Sequence, residues 1–145
     1  MTPDVNVLVA AFRADHQHHA AAKRALVEAL GAAAAGTPVT LLPMVLAGFL
    51  RLVTDDKVFE VPAPIDAAIA FVDVLRSSRG VVVAPLGDEW TEFRRLCLEK
   101  SLTANQLPDA WIAAAVIHLG EHLLTFDRDF AKLLTRGLYT RLPVS

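Results

Sequence analysis

Cysteine is nearly missing from this chain: Cys97 is the only one among 145 residues. That excludes an internal disulfide and a zinc cluster built on several cysteines, and it fits a reducing compartment. Long apolar runs are missing as well. No window reaches the roughly 18 uninterrupted apolar residues of a membrane span, and Asp4 and Asn6 break up the N-terminus where a signal peptide would carry its apolar stretch. A cytoplasmic protein with no membrane segment is expected. Nor is there an excess of charge of one sign. With 14 Lys and Arg against 16 Asp and Glu the formal charge is −2, so no global basic field marks a nucleic-acid binder, and any such binding must come from a local patch. Repeats and linkers are also lacking. What the chain does have is apolar bulk: 54% of its residues are hydrophobic, enough to bury a core in one domain over residues 1–145.

The apolar pattern alternates between two periods. Val5 to Val9 is short, β-branched and apolar and predicts a buried first strand, short or truncated so near the start of the chain. Alanine-rich sequence with Leu26, Val27 and Leu30 at helical spacing predicts a helix from His16 to Ala35, ended by Gly36. A second strand, Thr37 to Leu42, leads through Pro43 into a helical MVLAGFLRLV, and after Pro62 and Pro64 another helix repeats apolar residues on one face at Ile65, Ala68, Ile69, Val72 and Leu75. Val81 to Ala84 reads as a strand. Asp88 to Lys100 reads as a helix that sets Trp90, Phe93, Leu96 and Cys97 on one face, and Trp90, Phe93 and Trp111 read as core. Pro108 opens a helix through Leu119, followed by strands at His122 to Thr125 and Leu138 to Leu142. Strands separated by helices imply parallel crossovers, hence a three-layer α/β/α domain around a mostly parallel central sheet.

In such a sheet ligands bind beyond the carboxyl ends of the strands, so acids at those ends are the candidates for chemistry. Asp4 sits at or in the first strand, where an unpaired charge is costly. Asp109 follows Pro108 in a helical first turn, and Asp127 and Asp129 follow the HLLT strand directly. Each has a plain alternative: backbone capping for Asp4 and Asp109, a solvated turn for the pair. If the acids converge, hard oxygen ligands with no neighbouring Cys or His favour Mg²⁺ or Mn²⁺ over zinc.

Three segments in order, DVNVLV, VLAGFLRLVTDDKVFEVP and NQLPDAWIAAAVIHLGEHLLTFDRDF, resemble a PIN domain. More narrowly they resemble the VapC-type ribonuclease toxins of bacterial toxin-antitoxin pairs, in their mycobacterial branch. The resemblance spans nearly the whole chain. It implies a metal-dependent endoribonuclease in which an acidic cluster holds one or two Mg²⁺ or Mn²⁺ ions that cut RNA. By motif, Asp4 matches the first acid, Asp109 the acid of PDA, Asp127 the acid of T-x-D-x-D-F, and Asp129 an outer catalytic member. Asn6 and Asn105 match polar positions near the site, and Thr125 matches a frequent Thr that orients ligands through its hydroxyl. It also implies a homodimer and a small VapB-type antitoxin whose tail lies near the site. One position departs: many PIN domains carry a Glu where this chain has Gly48, so a catalytically weak or silent PIN domain that binds RNA or an antitoxin without cutting stands as the alternative.

Arg13, Arg51 and Arg128 lie near the acidic segments and are candidates for phosphate contact, with pairing of Arg51 to Asp55 and Arg128 to Asp129 as the plainer reading. His16, His18 and His19 are read as capping, packing or substrate contacts rather than a zinc site. Other doubly wound folds that cluster aspartates fit less well. A receiver domain needs an acceptor Asp at the end of VVVA, and a haloacid-dehalogenase-type phosphatase needs D-x-D-x-T where this chain has DVNVL.

Overall fold

In the computed structural model, which describes residues 1–144, the first strand β1 is only Thr2–Pro3, and the segment from Val5 is helical: α1 spans Val5–Phe12. The strand expected at Val5 to Val9 is therefore corrected to a helix. Asp4 is the cause. Its backbone is extended and its Oδ1 accepts the Val5 N–H at 2.7 Å, which starts the helix one residue after the strand ends. The β-branched valines lose a few tenths of a kcal/mol each in a helix, but Val7, Leu8, Val9 and Ala10 are all buried, and burial decides.

Four more strands follow: β2 (Val39–Leu41), β3 (Val81–Val83), β4 (Leu123–Thr125) and β5 (Tyr139–Arg141). β1 pairs with β4, β4 with β5 and β2 with β3, all parallel, as alternating strands and helices require. The Thr40 N–H donates to the Met1 carbonyl at 2.9 Å, which brings β2 beside β1 and gives the order β3-β2-β1-β4-β5. The chain winds outward from β1 to β3, then returns across to β4. The reversal falls between β1 and β4.

The helices are α2 (His19–Ala34), α3 (Pro43–Val53), α4 (Ile65–Ser77), α5 (Trp90–Glu99) and α6 (Gln106–Leu119). α6 starts ahead of Pro108, which sits in its first turn where a missing N–H breaks no helical bond. α1 packs on α2 and α3, α3 on α4, and α5 on α6. Right-handed crossovers place α1 to α4 on one face of the sheet and α5 and α6 on the other. Between the layers lies one core in which Phe49, Phe130, Leu8, Leu41, Leu96 and Leu123 are fully buried. Two core expectations fail: Trp90 is 62% exposed and Trp111 42%. Both stand on the α5–α6 side where the helix layer opens at the strand ends.

One close approach locks α2 to the start of β3. Gly80 has φ +80°, and a Cβ there would lie 2.2 Å from the Ala33 carbonyl oxygen, so backbone would have to move. Gly80→Ala is expected to cost about 2 kcal/mol or more, lowering the thermal midpoint by roughly 4–8 °C. An unchanged melting curve would show that the α2–β3 junction yields freely.

Candidate active site at the strand ends

The reversal between β1 and β4 leaves a crevice at their carboxyl ends, the place where open parallel sheets bind ligands. Asp4 leaves β1 there, and Thr125 and Asp127 leave β4. Asp4 is only 4% exposed. Besides the bond from Val5, its Oδ2 accepts the Thr125 hydroxyl at 2.6 Å. Thr125 Oγ1 in turn accepts the Asp127 N–H at 2.9 Å and the Asn6 amide at 3.4 Å, while Asn6 Oδ1 accepts the Phe126 N–H at 3.2 Å. Thr125 thereby joins the first acid to the last across the two strands. Asp127 Oδ1 caps the 3-10 turn Arg128–Lys132 by accepting the Asp129 N–H at 2.8 Å.

Asp109 reaches the same place from the first turn of α6. Asp4, Asn6, Asp109 and Asp127 line one cavity of about 640 Å³, together with Gly48, Arg51 and an apolar wall that includes Met44, Leu52, Phe93 and Trp111. The convergence expected of the acids is present for these three. Burial, reinforced by the charges of Asp109 and Asp127, lifts Asp4 to about 6 against the opposing bonds from Thr125 and Val5. Burial and the charges of Asp127 and Asp129 lift Asp109 to about 6 as well. The acids thus raise one another.

Asp129 stands outside this cavity. It lines a second one of about 390 Å³ with Lys100, Asn105, Gln106, Asp109 and Lys132, and its carboxylate lies 3.8 Å from the Lys132 ammonium. Asp109 is the wall the two cavities share. The loop beside the second cavity carries two left-handed non-glycine residues, Ser101 at φ 50° and Ala104 at φ 48°, a conformation held only where surroundings enforce it.

Arg13 is elsewhere. At the far end of α1 it forks onto Asp15 at 2.7 and 2.9 Å, donates to the Val61 carbonyl and covers Phe59, so it clamps the fold and does not line the cavity. Arg51 lines the cavity, and the ion-pair partner of Asp129 is Lys132 rather than Arg128. The histidines pack: His19 Nδ1 meets the Ala10 carbonyl, His16 Nδ1 accepts the His18 N–H, and the His18 ring stacks on Phe126.

The donor set suits a hard divalent cation. It consists of carboxylates with no Cys or His among the lining residues, and their mutual repulsion would be relieved by positive charge. Among the described residues no three His, Cys, Asp or Glu side chains form a closed metal-holding group. Gly48 explains why no fourth acid is present: a Cβ there would lie 3.0 Å from Val5 Cγ2. Val5 would have to give by a few tenths of an ångström to admit a side chain there.

Comparison with known proteins gives the family of the chain. The PIN domain family model matches residues 1–133. The chain is 35% identical over 130 residues to Ribonuclease VapC25 of Mycobacterium tuberculosis, covering 89% of each. It is 38% identical over 142 residues to Ribonuclease VapC43 of the same species, covering 97% of this chain and 93% of that one. Among solved structures, VapBC2 from Rickettsia felis bound to a DNA fragment of its promoter superposes with a TM-score of 0.66 at 16% identity, over 98% of both chains. VapC20 of Mycobacterium tuberculosis, a Sarcin-Ricin loop cleaving toxin, gives 0.64 at 20% identity, over 90% of this chain and 92% of that one.

The raised acids have a consequence for stability. A carboxyl at about 6 in the fold and near 3.8 when unfolded binds more protons folded, so its contribution is full at low pH and is lost as pH rises through 6. Thermal melts in EDTA are expected to show Asp109→Asn gaining on the parent protein by a few degrees between about pH 5 and about pH 8. A difference independent of pH would mean that Asp109 is not strained by its neighbours.

Proposed function

This chain belongs to the PIN-domain family, and from that premise we propose that it is a metal-dependent endoribonuclease of the VapC type, the toxin of a type II toxin-antitoxin system, hydrolysing RNA phosphodiester bonds. The observation that carries the proposal is the convergence of Asp4, Asp109 and Asp127 on one cavity at the sheet's switch point, in a chain whose curated relatives are named ribonucleases.

Asp4, Asp109 and Asp127 would hold Mg²⁺ or Mn²⁺. Such an ion, when bound, supplies a more acidic water and neutralises charge developing on the phosphate. The rest of the work falls to the protein. Val5 and Thr125 occupy one lone pair on each Asp4 oxygen, fixing the carboxylate's orientation as outer-layer partners do. Asn6 and Thr125 hold the turn that presents Asp127. Asp129, outside the acid cavity but beside the wall that Asp109 shares, would accept a hydrogen bond from the attacking water. Lys100 and Lys132, in the second cavity with Asn105, supply the cations that the RNA backbone needs next to an acidic centre.

We infer a VapB-type antitoxin as partner, a homodimer and a cytoplasmic site of action. Sequence relatives named VapC and a fold shared with a VapBC protein support the first. No helix among the described residues is long and apolar enough to cross a membrane. The second reading, a PIN domain that binds without cutting, draws on Gly48, against which Val5 packs closely.

The deciding experiment is cleavage of a mixed RNA pool with Mg²⁺, with Mn²⁺ and with EDTA. Cutting is expected only with metal, and Asp4→Asn with Asp109→Asn should lower it at least about 100-fold. RNA binding without cutting, in the presence of calorimetrically bound metal, would favour the silent reading. The lysines have their own measure. Lys100→Gln with Lys132→Gln should flatten the slope of log K against log[salt] by about 1.4 for single-stranded RNA, about 0.7 for each phosphate no longer neutralised. An unchanged slope removes them from the substrate path.

A further inference from the structure

Trp111 is an exposed aromatic ring that the protein holds still. It lies on α6 two residues beyond Asp109, lines the acid cavity and is 42% exposed. Its indole N–H donates to Glu89 Oε1 at 3.0 Å, and the other oxygen of Glu89 accepts the Gly87 N–H at 2.6 Å. Glu89 is only 4% exposed. Burial works against its ionisation, but the bonds from Gly87 and Trp111 hold its carboxyl below the usual range. A buried carboxylate is a costly device for orienting one side chain, and a charge-assisted bond to it is stronger than a neutral one.

The far face of this arrangement opens on a smaller cavity of about 280 Å³, lined by Gly87, Glu89, Trp90, Phe93 and Trp111. Trp90 is 62% exposed, and its ring centre lies 5.7 Å from that of Phe93. Trp111 and Phe93 line both this cavity and the acidic one. The aromatic surface therefore begins beside the carboxylates and runs away from them. Two residues apart on a helix, Asp109 and Trp111 project in directions roughly 200° apart, yet both line the acid cavity, so a chain lying in that cavity meets the carboxylate and the indole together. Asp109 also lines the second cavity with Lys100 and Lys132, so one acid borders both the lysine-bearing cavity and the one that Trp111 lines.

We propose that the Trp111 indole is the stacking platform for an unpaired RNA base next to the scissile phosphate, and that Glu89 is the positioning residue that holds it. Single-stranded RNA offers flat π-faces that stack on aromatic side chains without demanding a particular base, and a rigid ring loses little freedom on binding. The proposal rests on the ribonuclease reading.

Trp90 and Trp111 are the only tryptophans in the chain, so fluorescence can isolate one of them. In an Asp127→Asn background, which keeps the RNA uncut, Trp90→Phe leaves Trp111 as the sole emitter. Titration with a single-stranded RNA oligomer should quench it, and a ribose-phosphate oligomer of equal length without bases should not. Trp111→Leu should weaken binding of the base-bearing oligomer roughly 5- to 150-fold, with Trp111→Phe retaining part of the affinity. Glu89→Gln should lower the steady-state anisotropy of the free indole and fall between parent and Trp111→Leu in affinity, with circular dichroism unchanged. Equal RNA affinity in folded Trp111→Leu and in its parent, or equal quenching by the base-free oligomer, would overturn the platform alone. A protein carrying every native residue that neither binds nor cuts RNA would overturn the ribonuclease reading together with it.

Discussion

The hydrogen bond from the Thr125 hydroxyl to Asp4 Oδ2, at 2.6 Å, is the contact on which the site's architecture depends. A carboxylate with 4% of its surface exposed is untenable without partners, and Asp4 finds them at the ends of two strands. One oxygen starts α1 and the other is tied to β4. The same Thr125 oxygen receives the Asp127 N–H, so one side chain aligns the first acid, the last acid and the junction between β1 and β4. Strand order then does the rest, because the winding direction reverses at that junction and leaves a crevice beyond it.

Within the crevice, electrostatics are left unresolved by the protein itself. Asp4 and Asp109 are both lifted to about 6 by burial and by neighbouring acids, and Arg51 is the cation among the residues lining that cavity. Stability is thereby given up to keep several acids together, a trade expected at functional sites rather than in structural ion pairs. The steric side of the site is equally specific. Val5, the first residue of α1, occupies the space facing Gly48, so the pocket's apolar wall and its lack of a further acid are two aspects of one packing choice. Around this centre the chemistry divides: lysines and amides share the second cavity with Asp109, and aromatic rings line the cavity that Glu89 borders.

Much of this was legible in the chain. Acids placed just after apolar segments, Asp127 above all, are recognisable because a parallel sheet delivers its strand ends to one side, and the PDA and TFDRDF segments sit where strand and helix boundaries can be read. The failures have physical causes. Val5 to Val9 looks like a strand because β-branched residues prefer one, yet a single capping contact from Asp4 and full burial of the following turn make it helical. Trp90 and Trp111 recur at helical spacing with buried residues, and spacing alone does not say where a helix layer ends and solvent begins. Arg13 is close to Asn6 in sequence, but α1 carries it to the opposite end of the helix, where Asp15 and the Val61 carbonyl hold it.

The sequence by itself determined the alternation of strands and helices, the parallel sheet that follows from it, and the identity of the carboxylates that could do chemistry, since these depend on local periodicity and on chain-order rules. Only the tertiary structure decided which of those carboxylates meet, that Val5 packs closely against Gly48, and that Glu89 anchors Trp111. Each of these is a contact between residues far apart in the chain. Local sequence carries no information about such distances until the core has brought the elements together.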